Sequence, residues 1–153
     1  MPSNICICAA NSTDDVEAVK QLFIEFSEYL GIDLKYQCFG EGLAKFPTSY
    51  DAIFLARVNG APAACIGSKD LGGGICEMKH LFVRSDFRGH DLGRKLCDVL
   101  IEDARTKGYR AMRFDTLPRL TTAIALYRGM GFKDIPRYNE NPIKDVVFLE
   151  LAL

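Results

Sequence analysis

Apolar and polar positions along this chain sort into short strand-like runs and three longer runs with helical spacing. Ile5 to Ala10 reads as a first strand. Ser12, Thr13, Asp14 and Asp15 then form a dense helix-start signal, with acids at the positive end of the dipole. Val16, Val19, Phe23, Phe26 and Leu30 follow at spacings of three and four, and Gly31 suits the stop. Ile32 to Tyr50 mixes glycines, Pro47 and the aromatics Tyr36, Phe39 and Phe46, which suggests a loop with a short helix around Glu41–Phe46. Those aromatics are suited to plugging a satellite core. Ala52–Val58 and Ala61–Ser68 flank Asn59-Gly60, the strongest hairpin signal in the chain. After the turn Leu71-Gly72-Gly73-Gly74, Ile75 to Val83 is apolar or β-branched at most positions and reads as a strand. Leu92, Leu96, Val99, Leu100 and Ala104 predict a helix running to about Lys107, stopped by Gly108. Ala111 to Thr116 is a fifth strand, broken by Pro118 before a helix from about Thr121 to Arg128. Phe132–Ile135 and Asp145–Leu151 read as two final strands joined through Pro136 to Pro142.

Strands outnumber helices and form hairpins at both ends of a β–α–β–α centre. That order predicts a mixed α/β fold with a central sheet of about six to seven strands and helices on both faces. No repeat, low-complexity tract or linker interrupts it, so residues 1–153 are expected to form one domain.

Composition narrows the function. A net charge of −1 offers no footprint for bulk nucleic-acid binding. Apolar content of 48% with 25% charged residues is that of a soluble globular protein, and no apolar run approaches a membrane span. The first residues, MPSNICICAANS, lack a basic start and a long apolar stretch, so a cytoplasmic location is expected. The six cysteines, Cys6, Cys8, Cys38, Cys65, Cys76 and Cys97, include no C-x-x-C pair. Cys6, Cys65, Cys76 and Cys97 sit in apolar patterns and are expected to be reduced core thiols, with no metal site.

The segment with most chemical promise is Glu77 to Leu96. A strand passes the polar turn Arg84-Ser85-Asp86-Phe87 and reaches Arg88-Gly89-His90-Asp91-Leu92-Gly93, where a helix opens. Such a junction leaves backbone N–H groups unpaired and aimed at one point, which attracts anions, above all phosphates. Arg88, Arg94 and Lys95 add positive charge. The plain alternative is a strand–turn–helix whose glycines only make the turn. A P-loop is excluded, because no G-x-x-x-x-G-K-[ST] is present. A dinucleotide fingerprint needs three spaced glycines, and only Gly89 and Gly93 are there.

These residues resemble the acetyl-CoA-binding motif of the GNAT acetyltransferase superfamily, Q/R-x-x-G-x-G/A after a strand ending in an apolar triplet. Leu81-Phe82-Val83 matches the triplet, Arg88 the first position and Gly93 the last, while Asp91 stands where the family has its middle glycine. Downstream, Ala123 to Phe132 resembles the family's A-x-x-L-Y-x-x-x-G-F, with Leu120 where many members carry Asn. The likeness is close over roughly Ile75 to Phe132. It implies the GNAT fold, acetyl-CoA as cosubstrate without a metal, and transfer of the acetyl group to a primary amine of a small molecule or peptide by direct attack on the thioester. It also implies that Leu81, Phe82 and Val83 meet the pantetheine arm. Arg88, Gly89, His90, Asp91, Leu92, Gly93 and Arg94 would surround the pyrophosphate. Homodimers are common in the family, so a dimer is a further expectation.

The reaction needs an amine freed of its proton and a proton for the departing thiolate. An alkyl amine of pKa about 10.4 costs roughly 4–5 kcal/mol to deprotonate at pH 7, which a positioned base can offset. Glu77 stands six residues before Val83, where several family members keep a catalytic glutamate. The alternative is a surface glutamate paired with Lys79 on the same strand face. Tyr127 is the candidate acid, at the family position whose tyrosine points at the CoA sulfur. Its alternative is a packed tyrosine satisfied by backbone. His80 has the opposite strand parity to Glu77 unless a bulge intervenes, and His90 sits in the phosphate turn. A competing function is a non-catalytic acetyl-CoA-binding regulatory or interaction module, kept open by Asp91 and Leu120. The acceptor is not legible, but Tyr138 to Pro142 and Tyr36 to Phe46 are the segments expected to select it.

Overall fold

A computed structural model of the chain describes residues 4–31 and 50–153. The expectations placed on Tyr36, Cys38, Phe39 and the short helix at Glu41–Phe46 fall outside those residues. The element order is β1 (Ile5–Ala9), α1 (Thr13–Leu30), β2 (Ala52–Val58), β3 (Ala61–Gly72), β4 (Ile75–Val83), a 3₁₀ turn (Ser85–Phe87), α2 (Leu92–Thr106), β5 (Ala111–Thr116), α3 (Thr121–Gly129), β6 (Lys133–Asp134) and β7 (Val147–Ala152). The strands form a seven-stranded sheet in the order β1-β2-β3-β4-β5-β7-β6. The β4–β5 pair is parallel, while β1–β2, β2–β3, β5–β7 and β6–β7 are antiparallel, so this is the mixed α/β sheet the element pattern predicts.

Local chemistry explains most boundaries. The Ser12 hydroxyl accepts from the Asp15 N–H at 3.1 Å, and Gly31 ends α1 in the left-handed region at φ 68°. Asn59 and Gly60 both have positive φ, which a tight two-residue hairpin turn demands. Three elements depart from the sequence reading. The sixth strand keeps only Lys133–Asp134. The last begins at Val147 rather than Asp145, because Asp145 takes φ 61° and breaks the extended run. Cys6 is exposed and not a core thiol, since it lies on an edge strand whose residues are nowhere fully buried. Cys65, Cys76 and Cys97 are buried.

The chain divides into two compact units, Met1–Lys69 with Lys79–Leu100, and Asp70–Met78 with Ile101–Leu153. In the first, Val19, Leu22 and Phe23 of α1 pack with Ile53, Leu55, Cys65 and Phe82. Full burial of a side chain such as Phe23 is worth about 1.5–3 kcal/mol. In the second, Phe114 of β5, Tyr127 of α3 and Phe132 form a cluster of edge-to-face rings, with centroids 4.5 to 6.0 Å apart.

Candidate active site

The first unit holds the anion-binding junction. Arg84 leaves β4 tied to α1: its Nε and Nη2 donate to the two Glu25 carboxylate oxygens at 2.8 and 2.6 Å. Its Nη1 donates to the Pro62 carbonyl at 2.9 Å. The 3₁₀ turn follows, then Gly89 at φ 90° and Asp91 at φ 60° swing the chain into α2. The first bond of α2 runs from the Lys95 N–H to the Asp91 carbonyl, so the N–H groups of Leu92, Gly93 and Arg94 precede the helical ladder. Arg88 lies over the Tyr29 ring at 5.6 Å, Arg94 is half-exposed, and Lys95 Nζ donates to the His90 carbonyl at 3.2 Å. Donors, positive side chains and an open turn at Gly89, where an added Cβ would meet nothing within 4 Å, suit a diphosphate. Asp91 itself takes the left-handed conformation, which glycine adopts without steric cost.

Upstream in the same unit, His80 has φ 58° within β4, the local geometry of a bulge. Its ring packs against Phe23 at 4.4 Å, with Phe26 and Tyr50 beside it. Burial, with Lys79 and Lys69 nearby, holds its pKa down to about 3, so the imidazole is neutral at pH 7. Its carbonyl accepts from the Cys65 thiol at 3.5 Å. His80 is a packing residue in these contacts. Phe82 packs against Phe26 and Tyr29 of α1.

The second unit holds Glu77 and Tyr127. The β4–β5 ladder runs Ile75↔Ala111, Cys76↔Met112 and Glu77↔Arg113, and ends there. Glu77 is only 6% exposed, so it is not a surface glutamate, and its Oε2 accepts from the Tyr138 hydroxyl at 2.7 Å. Opposite partners share a face, so Glu77 stands on the side of β5 that carries Arg113 and Asp115. Phe114 points the other way and meets Tyr127 at 4.5 Å. Glu77 and Tyr127 thus occupy opposite faces of this part of the sheet. Tyr127 is 5% exposed. Leu120, at the N-cap of α3, makes no side-chain capping bond.

Sequence reading placed Tyr138 in a segment expected to select the acceptor and did not connect it to Glu77. The two lie 61 residues apart, and no periodicity links them. Burial and the Glu77 charge push the Tyr138 phenol well above its usual pKa, so it keeps its proton. Among the described residues, no group of three or more His, Cys, Asp or Glu could hold a metal. No described helix is long and apolar enough to cross a membrane.

Comparison with known proteins places the chain in a family. The sequence profile of the acetyltransferase (GNAT) family matches residues 16–132. An uncharacterised N-acetyltransferase of Schizosaccharomyces pombe is 36% identical over 158 residues, covering 99% of this chain and 97% of the relative. A protein of Azospirillum brasilense named IAA acetyltransferase is 36% identical over 157 residues, covering 98% and 99%. Among solved structures, a GNAT acetyltransferase of Staphylococcus aureus superposes with a TM-score of 0.79 at 21% identity, covering 97% of this chain and 99% of that one. An acetyltransferase of Salmonella typhimurium with its cofactor acetyl-CoA superposes with a TM-score of 0.74 at 18% identity, covering 97% and 93%.

Proposed function

Because the chain belongs to the acetyltransferase (GNAT) family and is an N-acetyltransferase, we propose that it moves the acetyl group of acetyl-CoA onto a primary amine of a small molecule or peptide. The observation that carries this reading is Glu77, a carboxylate buried at the last rung of the β4–β5 ladder and hydrogen-bonded at 2.7 Å. Burying a carboxylate is costly unless it is paired or bonded, and the Tyr138 hydroxyl supplies such a bond here.

In this reading Glu77 accepts the proton of the incoming ammonium, which lets the amine lone pair attack the thioester carbonyl. Tyr127 donates its phenolic proton to the sulfur as the C–S bond breaks. A phenol of pKa about 10 can serve a thiolate of pKa about 8.5 and remain protonated at pH 7. The amine adds to the thioester carbon and the thiolate leaves it, so base and acid are needed at different atoms and two separate residues can divide the work. Leu81, Phe82 and Val83 would take the pantetheine arm. Arg88, Gly89, His90, Asp91, Leu92, Gly93 and Arg94 would hold the pyrophosphate.

The test is thiol release from acetyl-CoA in the presence of alkylamines, polyamines, amino acids and short peptides, with Glu77→Gln alongside. Amine-dependent release that falls at least about a hundredfold in Glu77→Gln is expected. Release that depends on no amine overturns the reading.

A further inference from the structure

The acetyl-transfer chemistry does not itself call on Tyr138, yet its hydroxyl and its ring are both engaged. Residues 136–143 form a strap that bonds mainly to itself and to β5. Arg137 Nη1 donates to the carbonyls of Asn139 and Asn141, at 3.4 and 2.7 Å. The side-chain oxygen of Asn139 accepts from the Asn141 N–H at 3.1 Å, and that of Asn141 from the Ile143 N–H at 2.9 Å. These are two successive Asx turns. The Nδ2 groups of Asn139 and Asn141 both donate to Asp115 Oδ2, at 2.7 and 3.1 Å, which ties the strap to the face of the sheet that carries Glu77. Between these ties, the Tyr138 ring stands edge-on to Phe148 at 5.4 Å. The Arg113 guanidinium lies 5.5 Å from the same ring, itself held by Glu150 at 2.6 Å.

A phenol so placed directs its hydroxyl to the carboxylate of Glu77. A donor on one carboxylate oxygen sets the torsion of the whole group.

We propose that Tyr138 is a positioning residue: its hydroxyl orients the Glu77 carboxylate, and the tie between Asp115, Asn139 and Asn141 holds Tyr138 in place. The role rests on the reading of Glu77 as the base. The charges that bear on Glu77 besides Tyr138 are Arg113 and Asp115 of β5 and Glu150 of β7, all on its face of the sheet. Lys79 lies two residues along its own strand, and Arg137, which leans on Phe148 at 5.1 Å, belongs to the strap.

Tyr138→Phe keeps the ring and removes the donor. In the full chain, the side-chain ¹³C carboxyl signal of Glu77 at fixed pH should move in the variant, because the hydrogen bond from the phenol is lost. With whichever amine the panel identifies, kcat should fall about tenfold to a hundredfold while acetyl-CoA binding by calorimetry stays unchanged. In a Glu77→Gln background, Tyr138→Phe should add no further loss, because the two residues act as one unit. Asn139→Ala loosens the strap and keeps the phenol, so it should move the Glu77 carboxyl signal and lower kcat by less than Tyr138→Phe; it also stands in if Tyr138→Phe fails to fold. An unmoved Glu77 carboxyl signal, an unchanged kcat, or an equal loss in the Glu77→Gln background overturns the role while leaving acetyl transfer intact. A wild-type chain inactive toward every amine overturns the transfer reading and this role together.

Discussion

Asp91 sits at φ 60°, where a side chain strains the backbone and glycine does not. Replacing it with glycine relieves that strain and adds the usual entropic cost of glycine, about 0.5–1 kcal/mol. The two nearly cancel, so Asp91→Gly should change stability by less than about 1 kcal/mol in thermal melts. Binding should move further. A carboxylate about 6 Å from a phosphate charge is repelled by roughly 0.7 kcal/mol in water-like surroundings and roughly 2.8 at an effective dielectric near 20. Calorimetry with CoA should therefore show several-fold tighter binding; weaker binding would mean that the side chain points away from the phosphates. Tyr127→Phe makes the complementary case. The phenol matters only once charge grows on sulfur, so kcat and kcat/KM should fall together by at least about a hundredfold, with acetyl-CoA affinity unchanged. Steady-state kinetics beside calorimetry decide it, and near-normal turnover would return Tyr127 to a packing role against Phe114 and Phe132. Asp91 and Tyr127 could be singled out as candidates in the sequence because each stands within a spaced motif, and Glu77 because it lies at a fixed offset from one. Tyr138 was not: its partner lies 61 residues away, and a tertiary hydrogen bond leaves no period in the chain.

At the scale of elements, the helix limits were legible where capping chemistry marks them, as at Ser12 and Gly31. They were blurred where a left-handed residue other than glycine intervenes. Asp145 reads as a strand residue and is a turn; His80 reads as plain strand and carries a bulge. The tie from β4 to α1 likewise escapes sequence reading, since Arg84 and Glu25 are 59 residues apart. The Arg84 guanidinium holds the Glu25 carboxyl below its usual range. A depressed pKa contributes stability that is present above the unfolded value of about 4.3 and lost as pH falls through the folded value. Glu25→Gln should thus lower stability at pH 7 by about 1 kcal/mol, the modest figure expected of a pair still partly open to solvent. For a chain of this length that is about 2–4 °C in Tm. Melts of the two proteins should converge as pH drops below about 4; a constant gap would mean that packing, not charge, is lost.

For the whole molecule, seven strands and a mixed sheet follow from the alternation of patterns, but the division into two units does not. Its boundaries fall inside β3, β4 and α2, so no linker composition could announce it. Ligand binding is the natural global probe. A ligand bound only by the native state stabilises it by mass action, so acetyl-CoA at a hundred times its Kd should add about 2.7 kcal/mol and raise Tm. No shift at millimolar dose, with no heat of binding, would remove acetyl-CoA from the account.

The strap at residues 136–143 has one more consequence, for anyone who would re-engineer this enzyme or trace its descent. The segment expected to choose the acceptor also carries the hydroxyl that grips Glu77. Taste and pace are therefore inherited together. A loop grafted from a relative to admit a new amine removes Tyr138 along with the old preference, and the hybrid should be slow even toward an acceptor it binds well. Grafts that retain a tyrosine at this place, and an amide able to reach Asp115, are the ones that should keep their speed.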